Sequence, residues 1–562
     1  MSVGLDIAMV AGKSSLVTRQ KEMAVISQNV AMSNDTDYRR RTTTVDPNVM
    51  VLGDSGFFGT GCHVQTIMRH YDSALETSLR NATSENSYQE TYYNSVRDIE
   101  DILAPSGEDQ LNNMVQDLAA KAQAIATSPE ELANRVAFIR TAENLVDRFN
   151  QNYTNLAQLR DNIADNNTAG AGSITKALSD LESLLGKIPD LNDRIRTLEE
   201  NTFLGQQAND LRDERDEIVS QISEFINITV REETDGRYTI SCDGNTLING
   251  TYTPQLSADS LEIQMTNTPP SPYYVPSIVL ASDNTVTVNL SSGKIKGFLD
   301  AREYITEKMD DLYAYAQNFG DAAAYPNEYW EANHDYALND TIRPEPSNGF
   351  VYELTAKTGD SGATQPTWPT TVGNTVVDAN GNTWTCAGEF SVFNTAHMEG
   401  YDLYGAAGSK IFSMAATQPG AGSILNVTIT DPKRIAASSV GDQTQVNPEN
   451  FVQKGNGQNM MSLWQTLDDP DATDPDLSGE SILSYSNRFV GDISQDVSIA
   501  RSQKETTLNI KSMFLNSVLE QSGVNMDEEM TEMLEVQKAY QASAKLIKTL
   551  DEMMAMVLTL LS

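Results

Sequence analysis

The sequence predicts an α+β multidomain protein in which long terminal and core helices, coiled-coil-like in spacing, enclose nested β-rich domains. Three observations carry this reading. Apolar residues recur with heptad spacing at both ends of the chain. A stretch rich in Thr, Val, Ile and Tyr, broken by Asp-Gly and Asn-Gly pairs, lies in the middle. Helical patterns resume beyond it, so the β-rich parts sit inside a helical frame. At 562 residues the chain is long enough for about three or four domains.

The N-terminal stripe runs Leu5, Met9, Gly12, Leu16, Met23, Ile26 and Val30, with Arg19 filling one slot. Spacings of four and three alternate, which is the seam of a helix meeting another helix. Further helical segments follow through Leu75, Leu79, Ala82, Tyr93, Val96 and Leu103, then through Leu111 to Ala126. Pro129 opens the next, with Leu132, Val136, Ile139, Val146, Tyr153 and Leu156. Gly170 to Ser173 breaks the pattern, which resumes at Ile174 and again from Leu211 to Ile226. From Ile228 to Leu290 the pattern is β, and Asp235-Gly236, Asp243-Gly244 and Asn249-Gly250 are expected hairpin turns. Leu299 to Phe319 is helical again. A block from about Tyr325 to Glu389, holding Trp330, Trp368 and Trp384 with several Pro and Gly, has the composition of an inserted module. A β-rich stretch around Ile424 to Ile429 and an acidic loop from Asp468 to Asp476 lead to a long helical pattern through Ile493, Val497, Ala500, Phe514 and Val518. After Ser522-Gly523 the last stripe runs Met526, Met530, Met533, Gln537, Tyr540, Ala544, Ile547, Asp551, Met554, Leu558 and Leu561. It implies a helix about 50 Å long, capped by Asn525 with Glu528 closing a capping box.

These elements divide the chain into an N-terminal helix and turn (1–45), a mainly helical core (46–226), a β domain (227–298), a helix returning to the core (299–324), a small inserted β module (325–389), a β-rich segment (390–480), a core helix (481–523) and a C-terminal helix (524–562). Two readings of the terminal stripes stand side by side. They can pair with each other and close one domain, or they can form coiled coils with other subunits. Globular domains usually bury wider stripes, so exposed narrow seams, ordered on assembly, are expected.

Charge narrows the function classes. Asp and Glu number 78 against 39 Lys and Arg, a formal net charge of −39. A general nucleic-acid binder needs a basic face, and an anionic membrane would repel this chain. Any self-assembly must therefore proceed through apolar surface. Three cysteines, Cys62, Cys242 and Cys386, form neither a disulfide framework nor a zinc pattern. Asp6, Lys13, Arg19, Lys21 and Glu22 interrupt any signal-peptide core, and the most apolar run, Met553 to Leu561, is too short to span a membrane.

Four segments resemble the flagellar hook-associated protein 1 family. "SQNVAMSNDTDYRRR" is similar to the family's turn after its first helix, through Asn29, Val30, Ala31, Thr36, Tyr38 and Arg39, with Met32 and Asp37 departing from it. "ANDLRDERDEIVSQISEFINI" (Ala208 to Ile228) resembles the helix that leads into the family's β domain. "VFNTAHMEGYDLYGAAGSKIF" (Val392 to Phe412) and "SGVNMDEEMTEMLEVQKAYQASAKLIKTLDEM" (Ser522 to Met553) are similar to its central and C-terminal signatures. The resemblance implies an extracellular flagellar protein at the hook–filament junction, exported without a cleaved signal. Its implied partners are copies of itself in a ring, the hook protein, a second junction protein, the flagellar secretion apparatus and an export chaperone at the C-terminal region. No cofactor, nucleic acid or membrane insertion is implied. The expected assembly interface is Leu5, Met9, Leu16, Met23, Ile26, Val30, Met526, Met530, Met533, Tyr540, Ala544, Ile547, Met554, Leu558 and Leu561. Another axial subunit, of hook or filament type, is the alternative within the same class.

Fragments of catalytic motifs do not add up. "GKSS" at Gly12 to Ser15 needs a glycine where Ile7 stands and a preceding strand. "GDSG" at Gly53 to Gly56 lacks partner His and Asp segments. Cys62, His63 and His70 match no zinc spacing, and Asp468, Asp469, Asp471, Asp474 and Asp476 lack the glycine and terminal Glu of a calcium loop. No catalytic or metal residue is expected. The inserted block is similar to a small β module of phage tail and secreted surface proteins. Its Trp330, Trp368 and Trp384 are expected to form an aromatic core, with stacking on sugars, as in a glycan-binding adhesin, as the alternative.

Overall fold

The structure, a computed structural model, describes residues 2–53, 56–105, 107, 110–164, 172–200, 206–250, 261–266, 275–321, 330–342, 344, 350–389, 391–415, 423–442, 447–468 and 480–561. It is an α+β multidomain molecule of long helices and small sheets. The N-terminal part comprises α1 (Ser2–Ala31), β1 (Arg41–Pro47), β2 (Val51–Gly53), β3 (Gly56–Phe58) and β4 (Cys62–Arg69). The helical body continues with α2 (Ser73–Leu103), α3 (Leu111–Thr127), α4 (Leu132–Ile163), α5 (Ser173–Leu185), α6 (Ile188–Glu200) and α7 (Asn209–Phe225). Then come β5 (Thr229–Glu232), β6 (Tyr238–Cys242), β7 (Asn245–Ile248), β8 (Leu261–Thr266), β9 (Val275–Leu280) and α8 (Lys294–Gln317). Beyond β10 (Gly320–Asp321) lie β11 (Thr341–Ile342), β12 (Phe350–Ala356), β13 (Thr375–Val377), β14 (Thr383–Glu389), α9 (Val392–Met398), β15 (Phe412–Met414) and β16 (Leu425–Val427). The chain closes with α10 (Gln458–Asp468), α11 (Ile482–Ser522) and α12 (Met526–Leu561).

Two antiparallel helix pairs set the frame. Across α2 and α11, Asn86 faces Thr507, Glu90 faces Lys504 and Tyr93 faces Arg501, so residue numbers fall on one side as they rise on the other. The main apolar core fills the space among α3, α4, α8, α10 and the first half of α11. Phe138, Phe149, Tyr153, Tyr315, Phe319, Phe393 and Phe412 are all fully enclosed in it.

The turn chemistry of the β domain is instructive. Asp243 and Gly244 both have positive φ, 48° and 77°, and join β6 to β7 as the sequence predicts. Gly236, at φ 81°, serves the turn between β5 and β6 in the same way. Neither Asn249 nor Gly250 has positive φ, and residues 251–260, which would follow a turn there, lie outside the described ones. Gly250 lies against β6, where a Cβ would come within 2.9 Å of the Tyr238 carbonyl, and its N–H donates to Thr239 Oγ1. Here glycine serves close approach rather than left-handed backbone.

The inserted stretch leaves the body after β10 and returns at Ser391. The Ser391 hydroxyl bridges the Asn318 and Phe319 carbonyls at 2.8 Å each, so exit and entry lie side by side. Its antiparallel sheet, in the order β11-β12-β14-β13, folds around a cluster separate from the main core: Trp330, Tyr336, Ile342, Phe350, Tyr352, Leu354, Trp384 and Cys386. Asp469, Asp471, Asp474 and Asp476, Asn348-Gly349 and Tyr325 lie outside the described residues.

Candidate assembly site at the paired termini

The terminal stripes find each other. α1 and α12 run antiparallel, with Gly12 against Ile547, Ser15 Oγ 3.1 Å from Ser543 Oγ, Gln20 Nε2 3.4 Å from Tyr540 Oη and Asn29 Nδ2 2.9 Å from Glu529 Oε2. The expectation that each narrow stripe lacks a partner within one subunit is therefore corrected. A narrow seam needs only another narrow seam, and the chain carries two. The small residues Gly12, Ser15 and Ser543 let the backbones approach; a Cβ on Gly12 would sit 3.1 Å from Ile547 Cγ1.

The register on α12 also differs from the apolar row read in the sequence. The buried row includes Glu529, Val536 and Leu550, flanked by the part-buried Met533, Tyr540, Ser543, Ile547 and Met554. These positions keep the four-three alternation. Of the expected residues, Met533, Tyr540, Ala544, Ile547 and Met554 are half-buried, whereas Met526 and Met530 are exposed. On α1, Ile26 is buried and Leu5, Met9, Leu16, Met23 and Val30 are half-buried. The side chains of Leu558 and Leu561 lie outside the described residues. Arg19, the polar break in the stripe, pairs with Glu22 at 2.7 Å.

Where the helices meet the body, a polar clamp replaces apolar packing. Asn29 is buried and uses its whole amide. Its Nδ2 donates to the Arg41 carbonyl and to Glu529, and its Oδ1 accepts from the Tyr38 hydroxyl and the Arg41 N–H. Burial pushes the Tyr38 hydroxyl pKa up to about 12, so it remains a donor. The three consecutive arginines each take a different element. Arg39 pairs with Glu76 of α2 at 2.7 Å and Arg40 with Glu529 of α12 at 2.6 Å. Arg41 pairs with Asp210 and Asp213 of α7 at 2.7 and 2.9 Å. The Arg40 N–H also donates to the Ser522 carbonyl at the end of α11. Extended backbone points successive side chains to opposite sides, so one tripeptide can fasten three helices. Glu528, expected to close a capping box, reaches Arg40 at 3.3 Å instead, while Asn525 does accept from the Asp527 N–H.

The α7 segment continues this logic. Asp213 and Asp216 receive Arg69 of β4 at 3.0 and 2.6 Å. Arg212 turns to Glu199 and Glu232 at 2.7 and 2.6 Å. Arg215 donates to Asn192 and the Gly236 carbonyl and stacks over Tyr238, 3.4 Å from the ring centroid. Residues three apart share a flank of a helix, so one set of charges holds the terminal unit and the other holds the β5–β7 sheet. In the Val392–Phe412 segment, Asn394 bonds both ends of the Phe412 peptide group. His397 bridges the Ser409 carbonyl and the Ala436 N–H at 2.6 and 2.7 Å. These partners fix its tautomer, with the proton on Nδ1. Burial holds its pKa down to about 4, so the ring is a neutral staple.

The motif fragments take structural places. Ser14 and Ser15 lie on α1, with Ser14 bonding the Thr60 carbonyl. His63 pairs with Asn48 at 2.8 Å, and among the described residues no group of three His, Cys, Asp or Glu could hold a metal. Among those residues, too, no helix is long and apolar enough to cross a membrane. In the insert, Trp384 and Trp330 are core residues, and the fully enclosed Trp384 has no face open to a sugar. Trp368 is half-buried, 4.4 Å from Tyr352 between ring centroids. Reading the sequence alone missed Arg40, Arg41 and Glu529 as a clamp between helices; the signal available was three adjacent arginines in a strongly acidic chain.

Buried charges fasten one element to another, and the terminal helix pair is left open on its outer side. Comparison with known proteins gives the chain's relatives. Residues 96–325 match the flagellar hook-associated protein FlgK helical domain, and residues 515–560 match the flagellar basal body rod FlgEFG protein C-terminal model. Flagellar hook-associated protein 1 of Salmonella typhimurium is 24% identical over 95% of this chain and 96% of that protein. The Escherichia coli protein of the same name is 25% identical over 95% and 96%, and the Bacillus subtilis one 22% identical over 99% and 97%. A solved structure of the hook junction protein FlgK from Burkholderia pseudomallei is 13% identical, with a TM-score of 0.49 over 78% of this chain and 99% of that one. Along nearly its whole length the chain is similar to proteins named flagellar hook-associated protein 1.

Proposed function

We propose that this protein assembles with copies of itself into a ring between hook and filament, through the outward faces of α1 and α12. Its neighbours along the axis are the hook protein and a second junction protein. The carrying observation is that α12 is exposed over most of its surface. Met526, Met530 and Leu534 near its start, and Leu546, Met553, Met556 and Val557 near its end, are open to solvent outside the α1 seam. A subunit with net charge −39 repels its copies, and uncharged apolar rows are where contact costs least.

Export through the flagellar secretion apparatus without a cleaved signal, with a chaperone covering the C-terminal region until then, belongs to the same reading. An apolar row needs a cover before assembly. The 325–389 block is in this view a separate module whose removal leaves assembly intact. The test is a Met530→Asp, Leu534→Asp double variant. Both positions are outside the seam, so far-ultraviolet circular dichroism and melting temperature should match the parent. Cells carrying it should build hooks without filaments and fail to swim. Normal filaments would overturn the proposal.

A further inference from the structure

The β2–β3 hairpin and its approach are the most exposed apolar feature outside the terminal helices. Val49 is 86% exposed, Leu52 70% and Phe57 72%, and Met50, Val51 and Phe58 are also open to solvent. The strands pair Val51 with Phe58 and Leu52 with Phe57, so large apolar side chains stand on both faces of a two-stranded ribbon. A lone hairpin is marginal in water, and solvated ribbons usually carry polar residues on at least one face. From Pro47 to Cys62 the chain carries a single ionisable carboxylate, Asp54, although the whole protein is strongly acidic. The exposed apolar surface is on the order of 600 Å², at the upper end of what monomers show and close to one side of a standard protein interface.

The root of the ribbon is fixed to α1. Ser14 Oγ bonds the Thr60 carbonyl and accepts from the Cys62 N–H at 3.3 Å each, and Thr18 Oγ1 donates to the Cys62 carbonyl at 3.0 Å. A Cβ on Gly61 would collide with Ser14 and the Ala11 carbonyl, so the strand lies flush on the helix there. The ribbon is thus a projection carried by the terminal pair at the level of residues 11–18. The same pair displays apolar side chains of its own outside the seam: Val10 and Val17, one heptad apart on α1, and Leu546 and Met553, one heptad apart on α12.

We propose that the β2–β3 ribbon of one copy docks on the exposed apolar rows of α1 and α12 of the next copy. The occupant is a second copy because one chain carries both halves of the match, a projecting apolar ribbon and exposed apolar rows on the terminal helices. A contact between two different surfaces of one protein is head-to-tail and builds rings or helices rather than closed pairs. Contact between acidic copies costs least where carboxylates are sparse: from Pro47 to Cys62 the ribbon segment carries only Asp54, and the Val10–Val17 row carries the cation Lys13, which attracts an acidic partner. The inference rests on assembly through the terminal helices and names the element that reaches across.

The experiment places a photo-crosslinking phenylalanine analogue at Phe57 of the full chain in assembled flagella. Crosslinked peptides are then mapped by mass spectrometry. The expected product is a covalent dimer joining position 57 to residues 10–17 or 546–557 of a second copy. Crosslinks only within one chain, only to a different flagellar protein, or to another part of a second copy overturn the inference. A Leu52→Asp, Phe57→Asp variant separates this from the broader reading. It should fold as the parent and lose filaments. If it keeps filaments while the Met530→Asp, Leu534→Asp variant loses them, the ribbon inference fails and assembly through the terminal helices stands. If both keep them, both fail.

Discussion

The inserted module and the terminal helix pair solve the same problem in opposite ways. The module is small, yet it closes its own core. Trp384 meets Tyr336 and Trp368 edge-on, at 5.2 and 5.9 Å between ring centroids, and Tyr352 donates to the Pro369 carbonyl at 2.7 Å. The terminal pair spans about ten turns of α12, yet it buries one narrow seam and fastens its base with ions and amides. Aromatic rings bury much area for few residues, so a short insert can be complete by itself. Helices joined along a two-residue-wide seam cannot, and their outer rows stay open. On the proposed function, self-sufficiency marks the part that can be removed and incompleteness the part that assembles.

The largest test of this contrast is Trp384→Ala. Loss of a fully buried tryptophan costs about 3–5 kcal/mol, and in the module it should cost local order only. Near-ultraviolet circular dichroism should lose its aromatic signal while α2 and α11 keep their hydrogen-exchange protection and cells still swim. If protection in α11 falls as well, the module is not independent of the body.

Glu529→Leu attacks the other side. It leaves the Arg40 guanidinium and the Asn29 amide without their buried acceptor. Removing one member of a buried pair costs about 3–5 kcal/mol, here toward about 3 because Arg40 keeps Glu528 and Glu532, each at 3.3 Å. Amides of α12 should exchange much faster while those of α4 and α8 do not change. Unchanged exchange in α12 would mean that the seam alone holds the pair.

That clamp also shows what the sequence conceals. The terminal helices, the β6–β7 turn at Asp243-Gly244 and the aromatic block are legible because spacing, turn dipeptides and composition are local signals. The partner of each stripe is not legible, since a heptad has the same spacing whether it meets its own chain or another. The register of α12 is obscured for a different reason. Glu529 occupies a seam position and is fully buried, but a carboxylate reads as surface until its arginine, nearly five hundred residues away in sequence, is known.

A smaller effect comes from His397, inside the body that carries both regions. Its folded pKa lies near 4, held there by burial against the opposing Ser409 hydrogen bond, with the Arg135 charge adding a smaller push down, against about 6.5 in the unfolded chain. The neutral ring is the form the fold needs. Stability is therefore complete above pH 6.5 and declines as pH falls toward 4. One pH unit corresponds to about 1.4 kcal/mol, so the loss should reach about 2 kcal/mol by pH 5. Denaturant unfolding of the parent between pH 7.5 and 5 should show this slope, and His397→Gln should flatten it. An equal slope in both proteins would assign the acid sensitivity to other groups.

The smallest effect distinguishes the two regions by their sulfur chemistry. Cys386 lies in the core of the module and Cys242 in the β5–β7 sheet, both enclosed, and burial pushes the Cys242 thiol up to about 12. Cys62 sits half-exposed at the root of the ribbon on α1. An aromatic disulfide reagent at pH 8 should therefore modify one thiol per native chain quickly, and Cys62→Ser should abolish that fast phase. Trp384→Ala should add a second fast thiol, Cys386, because opening the module exposes it, and should leave Cys242 slow. Glu529→Leu should add none, because the terminal seam encloses no cysteine. If loosening the clamp released a second thiol, the terminal pair and the sheet would unfold together, and the division between a closed module and an open pair would not describe how this chain comes apart.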